Sequence, residues 1–481
     1  MKKMYNFQKT KIIATIGPAS SSKEVLREMI MAGVDVCRLN FSHGSHEDHL
    51  KVIKIIHELN QELNTYVALL GDLQGPKIRI GDIGEGKVQL VDGKTIIFTT
   101  NKCVGNAEKV YITYPQFPKD VKTGERILID DGKLFLEIIS TNRKDEVKAK
   151  VIHGGPLSSR KGVNLPNTKI SMPCLTEKDL KDLEFAIENK LQWVGLSFVR
   201  SASDIIEIKH VISKYNKKKN PLIIAKIEKP EAIKDIDNII KETDAIMVAR
   251  GDLGVEIPNV EVPLIQKMIV KKCLHASKPV IIATQMLESM ITNISPTRAE
   301  VSDVANSILD GADACMLSGE TSVGDFVVDA VDTMNRIIAH VEESHDIYYK
   351  LHTPDKCRIE RYISNSICYN ACAMAQQADA KAIISMTYTG YSALKIASQR
   401  PNALIFIFTN NRSLLSTLSL IWGIRGFYYD KFISIDHTIE DLKHKLKKEG
   451  YINEGETVIN IASTPIEKKG MTNMIKLSVV E

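Results

Sequence analysis

The chain has 481 residues, 44% hydrophobic and 25% charged, with a formal net charge of +4. That length exceeds one ordinary domain and predicts two to four, and the composition is that of a soluble globular protein. So weak a positive balance argues against nucleic acid, whose footprint is a concentrated basic stripe. The longest lysine run, KYNKKKN at 214–220, reads as a solvated helix end before Pro221. The eight cysteines include no C-x-x-C pair, and Cys37 and Cys315 sit inside apolar runs, where a free thiol acts as a small hydrophobe. A reduced, cytoplasmic protein without structural zinc or disulfides is expected. IIATIG, after the basic start, is too short for a signal peptide. No run approaches the roughly 18 apolar residues of a membrane helix.

From the amino end, eight short apolar runs recur: KIIATIG (11–17), VDVCRLNFS (34–42), YVALLGDL (66–73), WVGLSFV (193–199), PLIIAKI (221–227), AIMVARG (245–251), PVIIAT (279–284) and ACMLSGE (314–320). Nearly continuous apolar strands suit a parallel sheet buried on both faces. Helical patterns separate most of them. Ser21-x-x-Glu24 predicts a capping box, with Gly33 as the stop. Ser45-x-x-Asp48 precedes a stripe of Val52, Ile55, Ile56, Leu59 and Leu63. Thr176-x-x-Asp179 opens the helix before the fourth run. Eight strands alternating with helices predict an α/β fold, a (β/α)8 TIM barrel rather than an open doubly wound sheet.

Between the third and fourth runs lie KVQLVDGKTIIFTT, KVYITY, RILIDDGKLFLEII and EVKAKVI, alternating segments punctuated by Asp-Gly turns. They predict a small all-β domain inserted after strand three, with GPKIR and KGVNLPN as its hinges. After residue 345 a helix near 361–377 is followed by KAIISMT (381–387), ALIFIFTN (403–410), TVINIA (457–462) and MIKLSVV (474–480). These predict a separate C-terminal α/β domain.

Function in such barrels sits at the carboxyl ends of the strands. Polar residues gather there: Arg38, Asn40 and Ser42 on the second run, Asp72 on the third, Lys226 and Glu228 on the fifth. Arg250 and Asp252 follow on the sixth, Thr284 on the seventh and Glu320 on the eighth. Residues two apart on a strand share a face. Any one pair could be a buried plug; six strands turning polar at one end need a ligand or metal to complete them. Glu228 and Asp252 are the carboxylates for Mg²⁺, Lys226 an ammonium beside a metal-bound anion, and RGDLG a helix start suited to a carboxylate or phosphate. Arg38 and Arg79 add forks for phosphate. The pattern describes phosphoryl transfer on a small phosphorylated acid. Neither G-x-x-x-x-G-K-[ST] nor G-x-G-x-x-G occurs, so scattered side chains must hold the nucleotide.

On these residues the chain closely resembles pyruvate kinase, over essentially its whole length. The resemblance is carried by TIGPAS (15–20), RLNFSHG (38–44), GPKIR (75–79), KGVNLP (161–166), SFVR (197–200), KIE (226–228), ARGDLGVEIP (249–258), ATQMLESM (283–290), PTRAEVSDVAN (296–306) and DGADACMLSGET (310–321). It implies a catalytic barrel over 1–75 and 171–345, a lid over 76–170 and a regulatory domain over 346–481. It implies phosphoenolpyruvate and ADP as substrates, pyruvate and ATP as products, Mg²⁺ or Mn²⁺ as cofactor, and a homotetramer. Lys226 would stabilise the phosphoryl group in flight and Arg38 would grip its oxygens. Glu228 and Asp252 would bind the metal. Ala249, Arg250, Gly251, Asp252 and Thr284 would hold the substrate, with Thr284 near the enolate face that is protonated. Asn40, His43, Arg79 and Lys161 would meet the nucleotide phosphates, Lys161 as the lid closes. Phe198 would either support Lys226 by a cation–π contact or simply pack.

Many members of that family need K⁺, among positions matching Asn40, Ser42, Asp72 and Leu73. Threonine is usual at 73, lysine at 74 and glutamate at 77; this chain has Leu73, Gln74 and Lys77. A leucine offers no hydroxyl, and an ammonium is a compact point charge. K⁺ is therefore expected not to be required, with Lys77 in its place; the plain alternative is a solvent-facing hinge lysine. TYTGYS (387–392) resembles the family's effector loop, with Thr387, Thr389, Gly390 and Ser392 as a cradle for a sugar phosphate or nucleotide. The alternative there is a helix cap that needs no ligand.

Overall fold

The computed structural model describes residues 8–215, 220–354, 359–431, 434–464 and 472–481; lysines 217–219 of the predicted helix end lie outside them. Eight parallel strands close a barrel: β1 (Lys11–Ile16), β2 (Val36–Asn40), β3 (Ala68–Asp72), β4 (Trp193–Leu196), β5 (Leu222–Ile227), β6 (Ala245–Ala249), β7 (Val280–Ala283) and β8 (Ala314–Leu317). β1 pairs with both β2 and β8, which completes the circle. Every residue of β1, β3, β4, β6, β7 and β8 is buried, as continuous apolar runs require.

The helix starts follow local chemistry. Ser45 and Thr176 each close a capping box with the predicted Asp48 and Asp179. The first helix, Lys23–Ala32, departs by one residue: Ser22, not Ser21, caps it, accepting from the Val25 N–H. Glu24 is then a first-turn acid at the positive helix end rather than a box partner. Gly33 stops this helix at φ 121°, a conformation glycine adopts without strain.

The insert forms its own core around Phe98, Phe117, Tyr114 and Leu136. A six-stranded sheet runs from Val163–Asn164 through Arg126–Ile129, Leu134–Thr141, Glu146–His153 and Thr95–Thr99 to Lys109–Tyr111. A second ribbon pairs Lys87–Leu90 with Gly155–Ser158. The expectation of an all-β insert misses one turn of helix at Phe117–Asp120, where Pro118 fits the first helical turn.

The C-terminal domain is a five-stranded sheet, in spatial order β11 (Ile424–Tyr428), β10 (Leu404–Thr409), β9 (Ala382–Met386), β12 (Thr457–Ala462) and β13 (Met474–Val479). Four strands are parallel and β13 is antiparallel to β12. β11 escapes the sequence reading because it is a half-buried edge strand, IRGFY, whose arginine and glycine break the apolar run. The barrel interior (Ile13, Val36, Leu70, Trp193, Ile281) shares one apolar cluster with Leu420, Ile421 and Trp422 of this domain. Trp193 Nε1 donates to Thr417 O at 3.3 Å and Ser419 Oγ to Tyr66 O at 2.6 Å. The C-terminal domain therefore seals the amino ends of the strands, and the carboxyl ends remain for chemistry. Every described cysteine is a free thiol.

Candidate active site

The strand ends bring the predicted charges into one cluster. Arg38, on β2, donates through Nε to Asp72 Oδ2 at 2.7 Å and through a terminal nitrogen to Thr15 Oγ1 at 2.9 Å. Lys226, on β5, donates to Ser197 Oγ at 2.7 Å and lies 3.2 Å from Asp72 Oδ1 and 3.1 Å from Glu228 Oε1. The second oxygen of Glu228 accepts the Phe198 N–H at 2.7 Å. Three strand ends, those of β3, β4 and β5, thus meet on one ammonium, and β2 joins them through Arg38 and Asp72.

The ionisation of these groups reflects the crowding. Burial would raise Asp72, but Lys226 and Arg38 outweigh it and hold its carboxyl below the usual range. Burial would lower Lys226, but Asp72 and Glu228 keep it above the ordinary lysine value. Glu228 is pushed up to about 7, by burial first and by the charge of Asp252, with Lys226 opposing. Three carboxylates, Asp72, Glu228 and Asp252, face two cations, Arg38 and Lys226. A divalent cation fits that surplus, and it fits the raised Glu228, which would be held ionised by it.

The candidate substrate end is built by β6 and β7. The helix Arg250–Glu256 starts directly at β6, and the Gly251 N–H donates to Thr284 Oγ1 at 2.8 Å. Thr284 and Gln285 both have left-handed backbones, φ 70° and 55°, a strain that needs support. Arg250 supplies it: its guanidinium donates to the Thr284 carbonyl at 2.8 Å and to Asp303 at 2.7 Å. Arg250 thus orients the loop, and Ala249 is its strand-end anchor. Glu320 is buried with its carboxylate accepting from the Ser318 and Leu287 amides, a brace for neighbouring loops.

The nucleotide candidates divide between barrel and lid. Asn40 Oδ1 accepts the Ser42 N–H at 3.1 Å, and His43 is exposed on the following turn. Ser42 lies beyond the end of β2, so it does not share the strand face of Arg38. Arg79 bridges to Gly162 in the lid, and Lys161 pairs with Asp130 at 2.8 Å. Lys161 must leave Asp130 to reach a ligand at the rim.

Lys77 is exposed and lines a cleft with Asn164, Phe198, Arg200, Lys229 and Asp252. Leu73 is buried in the apolar core, and its carbonyl accepts from Ser197 Oγ at 2.7 Å. The Phe198 ring faces Lys229, 5.8 Å away; the contact expected with Lys226 gives way because Phe198 turns left-handed (φ 56°) to donate its N–H to Glu228. In the C-terminal loop, Thr387 Oγ1 accepts the Gly390 N–H at 3.0 Å and Thr389 Oγ1 the Tyr391 N–H at 3.4 Å. Ser392 is buried against Ser385 at 3.2 Å.

Sequence reading missed the helix Glu177–Glu188 as a support for the site. Asp179 accepts the Gly75 N–H of the outgoing hinge at 3.0 Å. Lys178 donates to Phe41 O at 2.5 Å and to Asp182 at 2.6 Å, and Asp182 holds His46 at 2.7 Å. The signal was the Asp179 capping box, which explained that carboxylate locally and hid its second oxygen.

The family profile "Pyruvate kinase, barrel domain" matches residues 7–331, and "Pyruvate kinase, alpha/beta domain" matches 365–478. The pyruvate kinase of Clostridium acetobutylicum is 42% identical over 475 residues, covering 98% of this chain and 100% of that one. That of Corynebacterium glutamicum is 41% identical over 473 residues, with 98% of each covered. A crystal structure of a pyruvate kinase from Cryptosporidium parvum superposes with a TM-score of 0.92 at 35% identity, covering 98% of this chain and 96% of that one. Matched through both its barrel and its C-terminal domain, and nearly end to end by relatives of the same name, the chain belongs to the pyruvate kinase family.

Proposed function

We propose that the rim carries out the family's reaction, phosphoryl transfer from phosphoenolpyruvate to ADP, with the following division of roles. A terminal oxygen of ADP attacks phosphorus, the bond from phosphorus to the enol oxygen breaks, and the enolate takes a proton to become pyruvate. Lys226 and Arg38 hold positive charge where the phosphoryl oxygens pass, at no reorganisation cost because Asp72 already fixes both. Glu228 and Asp252 would hold Mg²⁺ or Mn²⁺, which when bound supplies further positive charge to the phosphoryl oxygens. The Gly251 amide and Thr284 hydroxyl bind the substrate carboxylate, and Thr284 lies on the path of the proton to the enolate. Asn40, His43, Arg79 and Lys161 take the nucleotide phosphates. The observation that carries this reading is the convergence of Asp72, Ser197 and Glu228 on the Lys226 ammonium.

Lys77 replaces a monovalent cation in this scheme. Leu73 directs its side chain into the core, and its carbonyl is already engaged by Ser197. Asp72 is held by Arg38 and Lys226. Few oxygens remain for K⁺, while the exposed Lys77 shares a cleft with Asp252. Pyruvate formation in tetramethylammonium buffer should match that with K⁺ added; strong activation by K⁺ would remove Lys77 from this role.

The homotetramer that the family resemblance implies would draw on exposed apolar side chains, among them Val260, Leu264 and Ile294 on the barrel and Leu477 and Val479 on the open edge strand β13. The 387–392 loop would take a sugar phosphate or nucleotide by releasing its Thr387 and Thr389 caps; calorimetry against fructose 1,6-bisphosphate, glucose 6-phosphate, ribose 5-phosphate and AMP decides between cradle and cap. Among the described residues, no helix is long and apolar enough to cross a membrane.

A further inference from the structure

Asn164, in the lid, reaches across the cleft to the barrel. Its side-chain amide donates to Glu256 Oε1 at 2.7 Å, and Lys229 donates to the same oxygen at 2.5 Å. Glu256 and Lys229 are both buried, at 6% and 8% exposure. Glu256 Oε2 is buried with no hydrogen-bond partner among the described residues.

The places of these three residues in the chain matter. Glu256 ends the helix Arg250–Glu256 that begins at the substrate end of the rim. It stands four residues after Asp252, on the same helical face. Lys229 directly follows Glu228. Asn164 stands three residues after Lys161, in the short strand Val163–Asn164 that pairs with Arg126–Ile129. One hydrogen bond therefore ties the segment carrying Lys161 to the two segments carrying the rim carboxylates.

The chemistry suits a contact that opens and closes. Removing a charged partner from a buried carboxylate is strongly unfavourable, but a neutral amide can leave while Lys229 keeps Glu256 compensated. We propose that Asn164, Glu256 and Lys229 form a latch that fixes the lid over the rim and sets where Lys161 is delivered. The delivery step rests on the reading of Lys161 as a ligand of the nucleotide phosphates. Asn164 and Glu256 are positioning residues, since neither needs to touch substrate.

The test is steady-state kinetics and lid amide exchange on the full-length enzyme. Asn164→Ala should raise the KM for ADP about tenfold, the scale of one hydrogen bond to a charged group. The KM for phosphoenolpyruvate should stay within about twofold, a split that general loss of folding would not produce. Amide exchange over 76–170 in saturating ADP should quicken. Asn164→Asp should be worse, by setting two carboxylates together, and adding Glu256→Gln to it should restore function because Lys229 then pairs with the new acid. Unchanged ADP kinetics and exchange in Asn164→Ala, or no rescue in the double variant, would overturn the latch. If Lys161→Ala leaves the KM for ADP unchanged while Asn164→Ala quickens exchange, the latch stands and the role of Lys161 falls.

Discussion

The barrel buries charge at both ends, and the two ends treat it differently. At the sealed end, Arg400 is 1% exposed and pairs with Asp313 at 2.9 Å. Each member also binds backbone: Arg400 donates to Ala397 O and Gly311 O, and Asp313 accepts from the Val280 and Trp422 amides. The Arg400 guanidinium lies 4.8 Å from the Trp422 ring. At the open end, Lys226, Asp72, Arg38 and Glu228 lean mostly on one another, and Glu228 is pushed up to about 7. Charge fixed by main chain and balanced one to one serves cohesion. Charge fixed by other charge, with a carboxylate in surplus, suits the binding of a cationic or phosphorylated ligand.

The largest expected effect breaks the comparison at the open end. Lys226→Met should lower phosphoryl transfer by at least about 10³-fold, the scale of removing a donor aimed at transition-state charge. It should cost little stability. Asp72 retains Arg38, and Glu228, about half protonated at pH 7, takes a proton instead of standing as an uncompensated charge. Pyruvate output and the thermal midpoint, measured on one preparation, separate the two. A collapse of the midpoint with activity intact would mean that the rim is a plug like the other end.

The mirror experiment is Arg400→Met. Breaking a buried pair from one side costs about 3–5 kcal/mol, and the thermal midpoint should fall accordingly. The folded fraction should retain nearly normal kcat, because the lost contacts join the segment before β8 to the C-terminal domain and lie at the far end of the barrel. A large loss of kcat at unchanged stability would show that the seam is part of the catalytic machinery.

The same contrast explains what the sequence made legible. Continuous apolar runs such as ALLGD and VIIA declare parallel barrel strands, because burial on both faces leaves no other composition. The rim was legible for the opposite reason: Lys226 and Glu228 interrupt such a run at its carboxyl end, and a buried charge in a strand has few explanations. The sealed end was invisible. Arg400 follows a C-terminal helix and Asp313 precedes β8, and nothing in local spacing shows that residues 87 apart are partners. The Asn164–Glu256 contact was hidden likewise, since each residue is locally an ordinary polar position in a hinge or at a helix end. Phe198 shows the limit of motif transfer: the sequence places it inside the apolar run WVGLSFV, but the strand ends at Leu196, and the left-handed turn that aims the ring at Lys229 is a tertiary effect.

The smallest predicted effect concerns a buried group between these two kinds. His49 sits beneath the turn that carries Asn40 and His43, with its Nε2 3.0 Å from the His43 carbonyl and its ring 5.2 Å from that of Phe41. A carbonyl can only accept, so Nε2 carries the proton and the neutral ring is satisfied as it stands. Burial lowers its pKa below the ordinary histidine value, with the His43 contact opposing. The facing groups are His46, Asp48 and Asp182, of which the two carboxylates also oppose the shift. Between that lowered value and about 6.5, the unfolded chain binds a proton that the folded protein does not, so stability rises with pH across the window and is lost as pH falls through it. The slope cannot exceed about 1.4 kcal/mol per pH unit for one group. Urea midpoints at pH 7 and pH 5.5 should therefore fall further for the parent protein than for His49→Gln, whose amide can make the same bond without titrating. Equal falls would show that the turn carrying Asn40 and His43 is insensitive to this ring, and that acid acts on the fold elsewhere.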